Sequence, residues 1–388
     1  MKKIPYGKQY IDKSDLISVN KSLKKEKITT GNFVDLFEKK ITKKFKSKYS
    51  LVCNSATAGL HLAYLSIDIK KNDIILMPAI NFIASFSMAK ILGAKIFLVD
   101  VDPVSGQMTS EKILECIKKN NIKKIKAIIS MYLGGYVENN ILLYNLKKKY
   151  NFYIIEDACH AIGASYTYKN KKYPIGSCKH SDICIFSLHP VKTITSGEGG
   201  IVLTNSKKIA KKIRSLRSHG IERDKKEYWK YDIKQLGFNY RLSDINCALG
   251  VSQLLKLDKF IKKRREIFLN YVNEINQISK NISIYKNKNL INGFHLIVLN
   301  INFENFNTSK DSFFKFLNKF NIFPQYHYNP IYRFSFFKKK LSQDFIGAEK
   351  FYKNSISLPI FYDLKKQEIE YIVKKIKLFL NKNKILNV

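Results

Sequence analysis

Apolar, β-branched runs recur along the first half of the chain, at residues 51–53, 74–78, 95–100, 125–132, 152–157, 182–188 and 200–204. Between most of them the apolar positions switch to a helical spacing, over 56–66, 84–92, 110–119 and 142–149. Strands and helices alternating on this scale predict an α/β fold, a mostly parallel sheet covered by helices on both faces. A longer helical pattern over 241–257 leads into the charged run KFIKKRR and predicts the end of a large domain spanning 1–257. From 258 to 388 the pattern is that of a smaller α+β C-terminal domain, closing in a helix over 367–380.

With 388 residues the chain can bury a large core, and its 45% hydrophobic content is ordinary for a soluble protein. The opening MKKIPYGKQYIDK turns polar at once and lacks the apolar stretch of a secretory leader. The most apolar region, 74–99, is broken by Asn81, Lys90 and Lys95, which argues against a membrane span. Six scattered cysteines, without CxxC pairs, point to reduced thiols in the cytoplasm and not to a disulfide framework or a metal site. The formal charge of +38 raises the question of nucleic acid. The lysines are spread over the whole chain and travel with abundant Ile, Asn, Tyr and Phe, so a solvated basic surface is the expectation, with neither nucleic acid nor membrane as partner.

Ligands of parallel α/β sheets gather at the carboxyl ends of the strands, and three segments lie at such ends. NSATAGL (54–60) follows a short strand and opens a helix, where free N–H groups and the helix dipole favour a phosphate; an ordinary capped helix start would look the same. IIEDACH (154–160) puts Glu156 and Asp157 at the end of an apolar strand, where a carboxylate wants a cation or donor, or else simply caps a helix. FSLHPVKTITSGEGG (186–200) isolates Lys192 from the lysine clusters found elsewhere, either as a nucleophilic amine in a cleft or as a partner of Glu198. Taken together, a phosphate cradle, a strand-end Asp and a lone Lys make up the set that pyridoxal 5′-phosphate requires.

These motifs resemble the DegT/DnrJ/StrS sugar aminotransferases, of fold type I, and the resemblance covers essentially the whole chain. It implies Lys192 as the lysine that forms the Schiff base and Asp157 as the partner of the pyridinium nitrogen. It also implies His160 near the ring hydroxyl, Phe82 of PAINFIAS stacked on the ring, and Ala56, Thr57 and Ser187 on the phosphate. Through LGFNYRLSDINCALG it implies that Asn239 reaches the neighbouring subunit's cofactor phosphate, hence a homodimer with shared sites. Within the family the segments IPYGKQYIDKSDL, KITTGNFVDLFEKKI, PQYHYNPIY and SISLPIF are most similar to the branch that aminates C4 of a UDP-4-keto-6-deoxy-N-acetylhexosamine in pseudaminic acid synthesis. That branch implies L-glutamate as donor and Thr30, His327, Tyr328 and Tyr332 as substrate contacts.

Departures occur at SMYLGGYVE (130–138), at Ser196 and at Leu188, and none touches the lysine chemistry. The readings that stay open are the same chemistry on a bacillosamine- or perosamine-type sugar, a related sugar dehydratase, and a non-catalytic basic binding protein. The dehydratases carry His where this chain has Lys192, and a non-catalytic relative would be expected to lose Lys192 or Asp157. No arginine clamp for the donor's carboxylates is visible in the sequence.

Overall fold

Seven strands make the central sheet: β1 (Tyr49–Cys53), β2 (Ile74–Pro78), β3 (Lys95–Val99), β4 (Ala127–Met131), β5 (Tyr153–Asp157), β6 (Ile183–Ser187) and β7 (Gly200–Thr204). The computed structural model describes residues 3–224, 226–227, 229–287, 291–337 and 345–383. The strand order is β1-β7-β6-β5-β4-β2-β3. Every neighbouring pair is parallel except those of β7, which runs antiparallel to both β1 and β6.

Alternate side chains enter opposite layers, as the two-residue period of a strand requires. Leu51, Cys53, Ile75, Met77, Ile183 and Ile185 pack with helices Ala56–Ser66, Ile83–Ile91 and Lys207–Leu216. On the other face, Val52, Cys184 and Phe186 meet helices Asn32–Phe45 and Asp244–Leu255, while Leu76, Ile128 and Ile154 meet Ser110–Lys119 and Asn140–Tyr150. Near-continuous apolar runs are what strands covered on both faces need.

The helical pattern expected over 241–257 divides in two. One helix runs Asp244–Leu255 and the next Leu257–Ile275, joined at Lys256, whose ammonium is held by Asp12 at 2.9 Å and by the buried Asp15 at 2.5 Å. The charged run KFIKKRR therefore lies inside the second helix and carries the chain away from the sheet. Beyond it a three-stranded antiparallel sheet, β8 (Ile282–Ile284), β9 (Ile297–Ile301) and β10 (Ser355–Leu358), packs against helices Leu257–Ile275, Lys310–Lys319 and Lys366–Lys382. The N-terminal segment returns to this region, where Ile4–Pro5 pairs in parallel with Ile322–Phe323. No described helix is long and apolar enough to cross a membrane.

Candidate active site

The carboxyl ends of β1, β5 and β6 open on one cavity of about 850 Å³. Gly200, the first residue of β7, lies in register with both Cys53 and Ser187. Only glycine fits there: a Cβ would stand 2.4 Å from the Ser55 carbonyl oxygen and 2.8 Å from the Ala56 nitrogen. This close approach seats the start of helix Ala56–Ser66 over the strand ends. Ser55 caps that helix, its Oγ accepting from the Ala58 N–H at 3.1 Å. Ala56 and Thr57, whose N–H groups are left over at the helix start, line the cavity.

Asp157 ends β5 almost fully buried, with Oδ2 accepting from the Ser85 hydroxyl at 3.0 Å and Oδ1 from the Cys159 N–H at 3.4 Å. Ser187 ends β6, and its Oγ accepts from the His189 N–H at 3.3 Å. The tight turn that follows, closed by the Lys192 N–H on the His189 carbonyl at 2.9 Å, presents Lys192 to the same cavity. Burial lowers the Lys192 pKa; Cys159 and Asp157 oppose that shift and Arg264 adds to it. Phe82, 51% exposed, lines the cavity too, its ring 5.7 Å from that of Tyr328.

Three buried histidines close the inner wall. The His160 and His295 rings lie 4.3 Å apart, and those of His160 and His327 lie 6.1 Å apart. The His327 Nδ1 is 2.8 Å from the Ser357 Oγ, and burial followed by Lys192 pushes its pKa down to about 3. Burial also depresses His160 and His295 well below the ordinary histidine value, so the ring of histidines is neutral. Behind His295 lies Arg264, 2% exposed, with no carboxylate within ion-pair distance among the described residues. Its guanidinium donates to the carbonyls of Phe294 and His295, both at 3.3 Å, and of Ile360 at 3.5 Å. Burial lowers its pKa to about 10, which leaves it charged at neutral pH, so the inner wall is electropositive.

The structure thus brings together Ala56, Thr57, Phe82, Asp157, His160, Ser187, Lys192, His327 and Tyr328 around one space, although they span residues 56–328 of the sequence. Three expected site residues stand outside it. Asn239 is exposed, and its carbonyl accepts from the Asn54 Nδ2 at 3.4 Å. Thr30 is exposed in the turn before helix Asn32–Phe45, a turn held by the buried Asp244, whose carboxylate accepts from the N–H groups of Gly31, Phe33 and Val34 at 3.0–3.2 Å. Tyr332 is 3% exposed, stacked on Phe345, with its hydroxyl on Glu349 at 2.7 Å. Sequence reasoning missed Tyr6, Ser85, His295 and Arg264. Only His295, a lone polar residue opening the apolar run HLIVL, left a local signal.

A helix start with leftover N–H groups, a strand-end carboxylate and a part-buried amine share one cavity, and such groups are the working parts of an aminotransferase site. The family model of the DegT/DnrJ/EryC1/StrS aminotransferases matches residues 9–377. The chain belongs to this family. It is 40% identical over 372 residues, 95% of each chain, to the UDP-4-amino-4,6-dideoxy-N-acetyl-beta-L-altrosamine transaminase of Campylobacter jejuni strain 81-176. It is 38% identical, again over 95% of each chain, to the transaminase of the same name from strain NCTC 11168. Among solved structures it is similar to Helicobacter pylori PseC, an aminotransferase involved in the biosynthesis of pseudoaminic acid, with 28% identity, a TM-score of 0.87, and 98% of this chain and 100% of that one covered. The chain is therefore an aminotransferase with an α/β, fold type I architecture.

Proposed function

We propose that this aminotransferase moves an amino group from L-glutamate to C4 of a UDP-4-keto-6-deoxy-N-acetylhexosamine, UDP-2-acetamido-2,6-dideoxy-β-L-arabino-hex-4-ulose, in pseudaminic acid synthesis, with pyridoxal 5′-phosphate as its cofactor. The observation that carries this reading is the convergence of Lys192, Asp157 and the helix start at Ala56 on one cavity. The named relatives, similar over 95% of both chains, supply the sugar.

The residues present fit the cofactor. Leftover N–H groups at Ala56 and Thr57, with the Ser187 hydroxyl, suit its phosphate, and the open face of Phe82 suits its ring. Asp157 would face the ring nitrogen and keep a proton there, and Ser85 and the Cys159 N–H hold that carboxylate in place. When bound, pyridoxal phosphate supplies a carbonyl for the amine and a ring that accepts the electron pair released from the donor. Lys192 Nζ would be the amine that holds it, and as a neutral amine it would take the proton from the donor's Cα, a task made easier by the burial that disfavours its charged form. Arg264, charged behind the neutral histidine wall, keeps the inner end of the cavity positive, which suits a donor and a cofactor that both carry negative charge.

His327 and Tyr328 we assign to the sugar. For the assembly we propose a homodimer in which Asn239 serves the neighbouring subunit. In support, Asn239 is exposed and is not among the residues lining its own cavity, and the segment shortly before it in the chain exposes Trp229, Tyr231, Ile233 and Leu236. The division into domains near residue 257 is likewise proposed, on the switch from the seven-stranded to the three-stranded sheet. Six unpaired cysteines suit a reducing compartment, and we place the enzyme in the cytoplasm.

The test is a half-reaction. The purified protein is converted to its pyridoxamine form with L-glutamate, freed of donor, and mixed with the keto sugar named above. Return of the visible band of the lysine-bound cofactor, with a 4-amino sugar in the product, supports the whole reading. A pyridoxamine form that this sugar leaves unchanged would retain the aminotransferase and move the substrate to another nucleotide 4-keto-6-deoxy sugar. No spectral response to glutamate would overturn the donor.

A further inference from the structure

We infer that Tyr328 presents its hydroxyl hydrogen to the cavity as a donor of fixed sense, set by His160, and that this donor meets an electron-rich oxygen bound beside Lys192. The inference rests on the function proposed above and deepens it. Its first part concerns the protein alone.

The argument is one of hydrogen-bond direction. His160 is 1% exposed, and its Nδ1 lies 3.3 Å from the backbone nitrogen of Gly134. A backbone N–H can only donate, so Nδ1 carries no proton. The donor cannot turn away. The Gly134 carbonyl is taken by the N–H groups of His295 and Leu296, and the Gly135 N–H and carbonyl are taken by Tyr132 and Gly293. Gly135 is pressed so closely on His160 that a Cβ there would lie 2.4 Å from the His160 carbonyl oxygen. An imidazolium is excluded on the same ground, since its second N–H would face the Gly134 N–H. Burial, Lys192 and His327 all act in the same direction, against the charged form.

A neutral ring bare at Nδ1 holds its proton on Nε2, and Nε2 lies 3.0 Å from the Tyr328 Oη. The imidazole therefore donates and the phenol oxygen accepts. Burial first, and then Asp157, Cys159 and Tyr6, keep the Tyr328 hydroxyl protonated. Its own hydrogen must point elsewhere, and no acceptor among the described residues meets it. Tyr328 lines the cavity together with Lys192 and Asp157, so that hydrogen is free for a ligand. A preset donor with no competing acceptor stabilises an oxygen that gains electron density during reaction without reorganising at that moment. Two oxygens share this chemistry: the carbonyl oxygen of the keto sugar, and the ring oxygen of the cofactor. In either case Tyr328 is a catalytic residue and His160 its positioning residue.

Nitrogen-15 NMR of the histidine-labelled protein tests the direction, with the His160 signals identified by their loss in His160→Gln. The expected pattern is an unprotonated Nδ1 and a protonated Nε2. A protonated Nδ1, or an imidazolium at neutral pH, overturns the inference, and this holds whichever sugar the enzyme uses. Tyr328→Phe then separates the two oxygens. Discharge of the pyridoxamine form by the keto sugar slowed roughly 100-fold, with pyridoxal phosphate affinity kept within about threefold, assigns the donor to the sugar. A roughly tenfold loss of pyridoxal phosphate affinity with an altered visible band assigns it to the cofactor. Wild-type values in both overturn it. His160→Gln can still accept from Gly134 and donate to Tyr328, whereas the carboxylate of His160→Glu accepts and turns the hydroxyl back. The Gln variant should therefore exceed the Glu variant about tenfold in that discharge, and the reverse order would count against the inference.

Discussion

Replacing Gly200 by Ala probes the contact on which the proposed phosphate cradle depends. The new methyl would stand 2.4 Å from the Ser55 oxygen, 2.6 Å from the Ser55 carbon and 2.8 Å from the Ala56 nitrogen, all of them backbone atoms. Relief cannot come from a side-chain rotation. Nor can the peptide tilt freely, because the Ser55 carbonyl accepts the first helical hydrogen bond, from the Gly59 N–H at 3.0 Å. Ordinary van der Waals contact begins near 3.4 Å, so β7 and the helix start must part by about 1 Å. Overpacking of this kind costs about 1–3 kcal/mol. A 1 Å displacement of groups that position a ligand weakens their action by on the order of 10–100-fold. The assay is equilibrium binding of pyridoxal phosphate to the apo-protein, read by visible absorbance, with thermal unfolding followed alongside. The Gly7→Ala control, beside the same cavity, meets nothing closer than 3.8 Å and should leave both values within error. Wild-type affinity and an unshifted melting temperature in Gly200→Ala would refute the idea that this approach places the cradle.

Lys192→Ala should bind pyridoxal phosphate without turnover, and borohydride should no longer fix the cofactor to the chain; a covalent adduct in that variant would redirect the chemistry to another lysine. Asp157→Asn should lower the rate of the glutamate half-reaction by roughly 100-fold or more in stopped-flow absorbance, because a neutral partner does not hold the ring nitrogen protonated. Asp244→Ala leaves the N–H groups of Gly31, Phe33 and Val34 without their acceptor, and urea unfolding should report a loss of about 2–4 kcal/mol. For pH, the buried His160, His295 and His327 have folded pKa values below the unfolded one, so the unfolded chain binds more protons in acid. Their contribution is fully present above about pH 6.5 and is lost as pH falls from there towards about 3, the His327 value, at about 1.4 kcal/mol per pH unit for each histidine that titrates on unfolding only. Unfolding free energies that do not fall between pH 7.5 and pH 5.5 would show that these rings are not held neutral.

The sequence by itself determined the local pieces. Residues 74–78 and 200–204 are strands with the bounds their apolar runs predict, and the helix over 56–66 begins where Ser55 can cap it. Each of these depends on neighbours within a few residues, through side-chain period, cap and turn. Asp157 at a strand end and Lys192 on the turn after one were legible for the same reason, since an apolar run followed by polar residues marks the edge of a parallel sheet. What no local pattern could decide is which side chains meet once the second sheet is docked. Arg264 looks like one more cation in KFIKKRR, yet helix packing buries it behind His295, with backbone carbonyls as its hydrogen-bond acceptors among the described residues. Tyr6 reaches the cavity because Ile4–Pro5 pairs with a strand more than 300 residues away. Tyr332, four residues after Tyr328 in one motif, turns instead to Glu349. The direction of the Tyr328 hydroxyl depends on a backbone N–H at Gly134 and a ring at His160, brought together only by tertiary structure. Short-range physics writes the elements into the sequence. The contacts that give each side chain its protonation and its partner come from segments far apart in the chain, and only packing joins them.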